Sequence, residues 1–327
     1  MNCSDPLVTV LTPVYNGEKY LIECIDSVLN QNYKNFEYII VNNCSTDATL
    51  DIASGYAEKD IRIKIVNNSN FVGVIENHNI AFKLIAPESK YCKIVSADDM
   101  IYPEAISRLV EVAELNQSIG IVGSYVLHGS DKWWGVMWSG LPYRSSVVSG
   151  SQICRSTLLG GQRVFGSPTA LLYRSDLVRT ADSFYPNLTP QADLSACYKY
   201  LQNTDFGFVH QVLSYERVHN ESVTSQSVRK GTYEIAFIRD LLEYGPTYLT
   251  ELEFNNRLDQ VLLSYYDLLA DSIFNFKDLK SLSYQKKTLK ELGYPFISSK
   301  LAKAVLWKII DLLFNPKKAI GKMFRQA

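Results

Sequence analysis

Residues 7–14, LVTVLTPV, form a continuous apolar and β-branched run, the pattern of a strand covered on both faces. Tyr15-Asn16-Gly17 closes it with turn residues, and Asn16 is placed to cap a helix whose one face carries Leu21, Ile25, Val28 and Leu29. The pattern continues with strands predicted over 36–41, 61–66, 91–95 and 119–126. Helices follow Ser45-Thr46-Asp47 and are predicted over 74–85 and 103–115. Strands alternating with helices of this length imply βαβ crossovers and a mainly parallel sheet.

The alternation fades over 128–170, a stretch rich in Gly, Ser and Trp that includes Trp133, Trp134 and Trp138. A helix over 192–201 and a strand over 208–215 follow. From Tyr233 onward the spacing of Leu241, Leu242, Leu258, Leu262 and Leu268 is helical. The expected organisation is an α/β domain over 1–225 and a helical C-terminal region over 226–327.

Composition narrows the classes. With Lys+Arg 33 against Asp+Glu 34 and a net charge of -1, the chain lacks the basic excess that wraps nucleic acid, and no nucleic-acid partner is expected. Six scattered cysteines show no metal spacing, which points to free thiols in a reducing compartment. The N-terminal residues lack a basic secretory leader, and no run reaches the ~18 apolar residues of a spanning helix. A cytoplasmic protein is expected.

Ligands of open α/β sheets bind beyond the C-terminal ends of the strands. The exits here are Thr12-Pro13-Val14-Tyr15-Asn16, Asn42-Asn43-Cys44-Ser45-Thr46-Asp47 and Ser96-Ala97-Asp98-Asp99. They offer an aromatic ring, amides, hydroxyls and paired carboxylates, a set complementary to a nucleotide with a metal. Neither G-x-G-x-x-G nor a P-loop follows the first strand, so a diphosphate needs another positive partner, and a divalent cation on Asp98 or Asp99 would supply it. Capping of the helix that follows is an equal use for that acidic pair.

In order along the chain, residues 8–49 and the later VSADDMIYPEAI resemble the inverting family 2 glycosyltransferases of the GT-A fold, a Rossmann-like α/β arrangement; the likeness covers about residues 7–225. It implies transfer of a sugar from a nucleotide diphosphate, UDP by preference, to a hydroxyl of a glycan or lipid-linked acceptor. Thr12, Pro13, Tyr15, Asn42, Asn43 and Asp47 match the family's uridine loops. Ser96, Ala97, Asp98 and Asp99 stand at its D-x-D metal motif, which implies Mn²⁺ or Mg²⁺, with Ser96 in place of the first acid. Ser167 falls in the segment beside the donor sugar. Asp193 matches the catalytic base, although capping of its own helix would also place an acid there. Arg217 and His219 match a closing loop that touches phosphate or completes the metal shell. Ala192 replaces the acid that precedes the base, so a catalytically weak nucleotide- or glycan-binding assembly partner is the alternative.

Trp133, Trp134 and Trp138 lie where such folds contact acceptors, with core packing the competing use. Residues 299–327 hold seven basic side chains against Asp311, around the apolar run AVLWKIIDLLF. Such a segment suits the headgroup region of an anionic membrane or a docked terminal helix. A peripheral position on the inner face of the cell membrane is therefore expected, in cell-surface polysaccharide synthesis.

Overall fold

The computed structural model describes residues 5–130, 132–161, 163–186, 191–219, 232–274 and 279–315. The chain divides into two compact units, Met1–Ser225 and Gln226–Ala327.

The first unit is built on one mixed sheet. Strands β1 (Val8–Val14), β2 (Phe36–Asn42), β3 (Ile63–Asn67) and β4 (Tyr91–Ile94) pair in parallel in the order β3-β2-β1-β4. Every residue of β1 is buried, as the unbroken apolar run requires. Helices α1 (Leu21–Leu29), α2 (Thr49–Ala57), α3 (Val74–Phe82) and α4 (Ala105–Ala113) supply the crossovers and the covering layers. Leu21, Cys24, Ile25 and Val28 of α1 join Ile106, Leu109 and Val110 of α4 in the core beneath the strands.

Beyond β4 the sheet changes character. The order continues β9-β6-β10-β5, with β5 (Met100–Ile101), β6 (Ile119–Ser130), β9 (Leu172–Arg174) and β10 (Asp205–Arg217). The short β9 lies antiparallel between β4 and β6, whereas β6 and β10 run parallel. Two further strands, β7 (Trp133–Met137) and β8 (Val147–Ser149), pair antiparallel with β6 and β10. The sheet is thus parallel on one side and mixed on the other. Helices α5 (Gly150–Leu158), α6 (Ser175–Arg179) and α7 (Ala192–Tyr200) complete this unit among the described residues.

In the second unit α8 (Thr232–Tyr248), α9 (Glu251–Phe274), α10 (Leu279–Glu291) and α11 (Ser298–Phe314) follow one another. Helix α11 packs along α9, where Lys308 Nζ bonds Asp271 Oδ2 and the Ile297 N–H donates to Tyr266 Oη at 2.8 Å. Ala304 is buried, whereas Leu306, Trp307, Leu313 and Phe314 are exposed. No helix among the described residues is long and apolar enough to cross a membrane. Lys317, Lys318, Lys322 and Arg325 of the expected basic tail lie outside the described residues.

Candidate active site

The parallel strands end together, and the loops leaving them interlock. Asn16 sits at φ 49° and its Oδ1 accepts from the Thr46 N–H at 2.8 Å. It therefore ties β1 to the β2 exit and does not cap α1, whose N-cap position is Tyr20. Tyr15 is 48% exposed, its ring edge-on to Phe71 at 4.8 Å between centroids.

Several expected donor contacts are structural. Thr12 is fully buried, with Oγ1 on Val95 O at 2.8 Å and on Tyr38 Oη at 2.9 Å, and Pro13 is buried within β1. Strand alternation in a sheet covered on both faces turns such side chains inward. Asn42 and Asn43 are 4% and 2% exposed. Asn42 Nδ2 donates to Asn67 Oδ1, while Asn43 pairs through both amide atoms with the Val72 backbone and accepts from Asn68 Nδ2. Both amides, expected to read a uracil, are here taken up by partners within the protein. Asp47 accepts from the Thr49 N–H at 3.0 Å and the Thr49 hydroxyl at 2.5 Å, and from the Glu18 N–H at 3.1 Å. Asp47 thus closes a local turn just ahead of α2, whose N-cap position is Ala48.

The acidic loop behaves unevenly. Asp99 is 7% exposed; its Oδ2 takes the Thr169 hydroxyl at 2.6 Å and its Oδ1 the Arg217 N–H at 3.1 Å. Burial, with Asp98 and Glu216 close by, holds its carboxyl well above the usual carboxylate range. Asp99, expected as a metal ligand, here anchors two neighbouring segments. Asp98 remains partly exposed, and its Oδ2 lies 2.8 Å from His219 Nε2. Arg217, expected on phosphate, is engaged within the protein. Its guanidinium pairs with Glu23 at 2.5 Å, donates to Asp98 O at 3.2 Å and lies 4.4 Å over the Tyr20 ring.

Asp193 stands in the first turn of α7, and its Oδ2 accepts from the Ser167 N–H at 2.5 Å. The helix N-terminus and that N–H favour the carboxylate, yet burial outweighs them, with the charge of Glu216 adding to it, and the Asp193 carboxyl is pushed up to about 6. Ser167 belongs to a tight turn, φ 60° after Gly166 at φ 133°. Trp138 roofs the turn so closely that a Cβ on Gly166 would meet its ring at 2.9 Å.

Beneath this turn lies Lys93, a residue that no sequence motif singles out. Lys93 of β4 is 1% exposed; Nζ donates to Thr169 O at 2.6 Å and Leu171 O at 3.3 Å. Burial lowers its pKa to about 7 against the opposing pull of Glu216 and Asp99. The Thr169 hydroxyl also lies 3.2 Å from Ser96 Oγ and accepts from the Ser96 N–H at 3.1 Å. Lys93 and Thr169 thus join the acidic loop to the turn that carries Ser167. The available signal was a lysine in an otherwise apolar strand. Glu216 lay unassigned in the segment resembling the closing loop, and Glu23 and Phe71 carried no signal of their own in the sequence.

The sequence profile described as "Glycosyl transferase family 2" matches residues 9–178. The chain belongs to that family. It is 38% identical over 138 residues to an uncharacterized glycosyltransferase of Haemophilus influenzae, covering 42% of each chain. It is 30% identical over 119 residues to glycosyltransferase GlyG of Streptococcus pneumoniae, covering 36% of this chain and 39% of that protein. The matched stretch therefore spans less than half of these relatives. Among solved structures, S. aureus TarS 1–349 in complex with UDP-GlcNAc superposes with TM-score 0.63 at 20% identity, over 87% of this chain and 80% of that one. Mannosyltransferase PcManGT from Pyrobaculum calidifontis, in complex with GDP-Man and Mn²⁺, gives 0.56 at 15%, over 94% and 88%. These likenesses establish the GT-A fold.

Among the described residues no three His, Cys, Asp or Glu side chains converge as a metal cage. Asp98 and His219, one carboxylate and one imidazole, are in contact among the described residues. That pair fits a hard ion of Mg²⁺ or Mn²⁺ type, which takes one or two protein ligands and completes its shell with substrate phosphates and water.

Proposed function

We propose that the protein is an inverting glycosyltransferase moving a sugar from a nucleotide diphosphate, UDP by preference, to a hydroxyl of a glycan or lipid-linked acceptor. The observation that carries this is Asp193: a carboxyl raised to about 6 by burial and aligned by the Ser167 N–H, in a family 2 chain. A base poised near the working pH removes an acceptor proton effectively. Asp193 takes the hydroxyl proton as the acceptor oxygen attacks the anomeric carbon opposite the diphosphate, through an oxocarbenium-like state. With one base and no protein nucleophile, configuration inverts.

Asp98 and His219 would hold a divalent cation, which would offset the negative charge of the departing diphosphate. Tyr15, with Phe71 beside it, offers an exposed aromatic edge for the base, and Ser96, Ala97 and Ser167 would contact the rest of the donor. Thr12, Pro13, Asn42, Asn43 and Asp47 shape these loops from below. The exposed face of α11 and the basic side chains of 299–327 support a peripheral place on an anionic membrane, where a lipid-linked acceptor of cell-surface polysaccharide synthesis would reside.

Product analysis of UDP-sugar turnover by the full chain tests this reading. Transfer should be lost by at least ~1,000-fold in Asp193→Asn while nucleotide affinity stays within about threefold. Nucleotide binding without any turnover by the native protein would favour the assembly-partner alternative, which the substitutions at Ser96 and Ala192 suggest.

A further inference from the structure

Glu216 takes no part in the transfer step itself. It lies on β10 directly beside His128 of β6 in the parallel register, so both side chains leave the same face of the sheet. Glu216 Oε2 is 3.7 Å from His128 Nδ1, too far for a hydrogen bond. Glu216 Oε1 and His128 Nδ1 are both buried and without a hydrogen-bond partner. The Glu216 side chain is only 14% exposed. Its charge nevertheless reaches Asp193, Asp99 and Lys93.

A buried carboxylate oxygen with no donor is costly, and such an orphan beside a reacting group calls for a donor from a ligand. The way in is marked by an aromatic ring. Trp133 on β7 stands edge-on to His128 at 5.6 Å between centroids and is 51% exposed. Exposure falls from the indole to the His128 side chain at 26% and the Glu216 side chain at 14%.

We propose that Trp133, His128 and Glu216 form the subsite that binds the ring of the acceptor sugar, and that it takes a neutral or amino sugar and rejects a uronic acid. The indole covers the apolar C–H face of a pyranose ring. Glu216 accepts from one or two ring hydroxyls, and His128 bonds a neighbouring one. A carboxylate on the same ring would meet Glu216, whose charge already reaches Asp193, and like charges in a partly buried site repel strongly. The inference rests on the glycosyl-transfer reading above and adds to it the class of acceptor.

The test uses the full chain, the nucleotide sugar it turns over fastest, and two sets of acceptor probes: para-nitrophenyl glucoside, galactoside and N-acetylglucosaminide, and para-nitrophenyl glucuronide. Transfer and donor hydrolysis are measured together. The native protein should use at least one neutral or N-acetylated probe and discriminate against the glucuronide by roughly tenfold or more. Glu216→Gln should raise the acceptor KM and lower the ratio of transfer to hydrolysis, each by about tenfold, and should narrow the preference over glucuronide. That last change is one a purely structural role would not produce. His128→Gln, at a less buried position, should move KM and the ratio in the same direction, and the double variant should add little. Transfer and hydrolysis falling in step in both variants, or equal use of glucuronide by the native protein, would overturn the subsite. A native protein that transfers normally while both variants keep the native ratio would sink the subsite alone. A native protein that neither hydrolyses nor transfers from any nucleotide sugar would remove the glycosyl-transfer reading and the subsite with it.

Discussion

The backbone N–H of Ser167 meets Asp193 Oδ2 at 2.5 Å from a residue held at φ 60°. Left-handed backbone costs a non-glycine residue about 1 kcal/mol or more. Four such residues occur among the described residues, Asn16, Cys44, Trp138 and Ser167, and they follow β1, β2 and β7 or carry the bond to Asp193. The strain is concentrated where loops must converge. It persists because neighbours over-determine it: Trp138 roofs Gly166, and Lys93 holds the Thr169 and Leu171 carbonyls from below.

The raised carboxyl of Asp193 has opposite consequences for rate and stability. As a base it must be ionised, so transfer should fall about tenfold per pH unit below about 6. For stability, the folded pKa lies above the ordinary value of 3.8. The native state therefore binds the proton more tightly than the unfolded chain. That contribution is fully present below the unfolded value and is lost as pH rises through about 6. Asp193→Asn should then be more stable than the native protein at pH 7.5, by up to about 2–3 kcal/mol, with the gap closing near pH 4. Urea unfolding at the two pH values checks this; an equal difference at both would refute it.

Lys93 offers a test of how the turn is held. Burial lowers its pKa from 10.5 to about 7, so the native state sheds a proton that the unfolded lysine keeps. Stability should accordingly rise with pH between about 7 and 10.5. Lys93→Met removes that dependence and a costly buried charge, while the carbonyls of Thr169 and Leu171 lose their donor. The expected outcome is a melting temperature that holds or rises at pH 7, with kcat down roughly tenfold or more and donor KM little changed. Unaltered kcat in a folded variant would show that the turn is rigid without the ammonium.

Where alternation was strong, the fold was legible from the chain. β1 is buried throughout, and α1 and α4 carry the periodic faces that Leu21, Ile25, Ile106 and Leu109 announce. The three-residue β9 was not legible, because its place between β4 and β6 depends on pairing across distant chain segments and not on local pattern. The same holds for the site. Asp98, His219, Ser167 and Asp193 were expected on the resemblance, and the structure brings Asp98 beside His219 and Ser167 beside Asp193. The inward turn of Thr12, the Val72 pairing of Asn43 and the burial of Asp99 follow from neighbours remote in sequence. Lys93 and Glu216 acquire meaning only from what they face.

The division of labour between two adjacent acids can be measured. Asp98 is partly exposed and touches His219, whereas Asp99 is committed to Thr169 and Arg217. Titrating Mn²⁺ into chelator-treated protein should show the activation midpoint of Asp98→Asn raised at least about tenfold. Asp99→Asn should leave the midpoint near native and instead lower the melting temperature, since an amide gives one of its two buried donors a poor partner. Equal shifts of the midpoint in both variants would return Asp99 to the metal shell.

The face of α11 that carries Leu306, Trp307, Leu313 and Phe314 is exposed, and Lys300 and Lys303 share its helix. Apolar insertion and basic attraction each contribute modestly, so binding should depend on both. Sedimentation with vesicles of phosphatidylglycerol should carry the native protein down and leave it in solution with pure phosphatidylcholine or in high salt. Trp307→Glu with Leu313→Glu should abolish sedimentation, and deletion of residues 299–327 should match it. The two substitutions lie on the exposed face and should leave the α9 contacts at Asp271 and Tyr266 in place, which unchanged helicity by circular dichroism verifies. Equal partitioning of native and deleted forms would assign α11 to packing alone and leave a lipid-linked acceptor to be found by diffusion from solution.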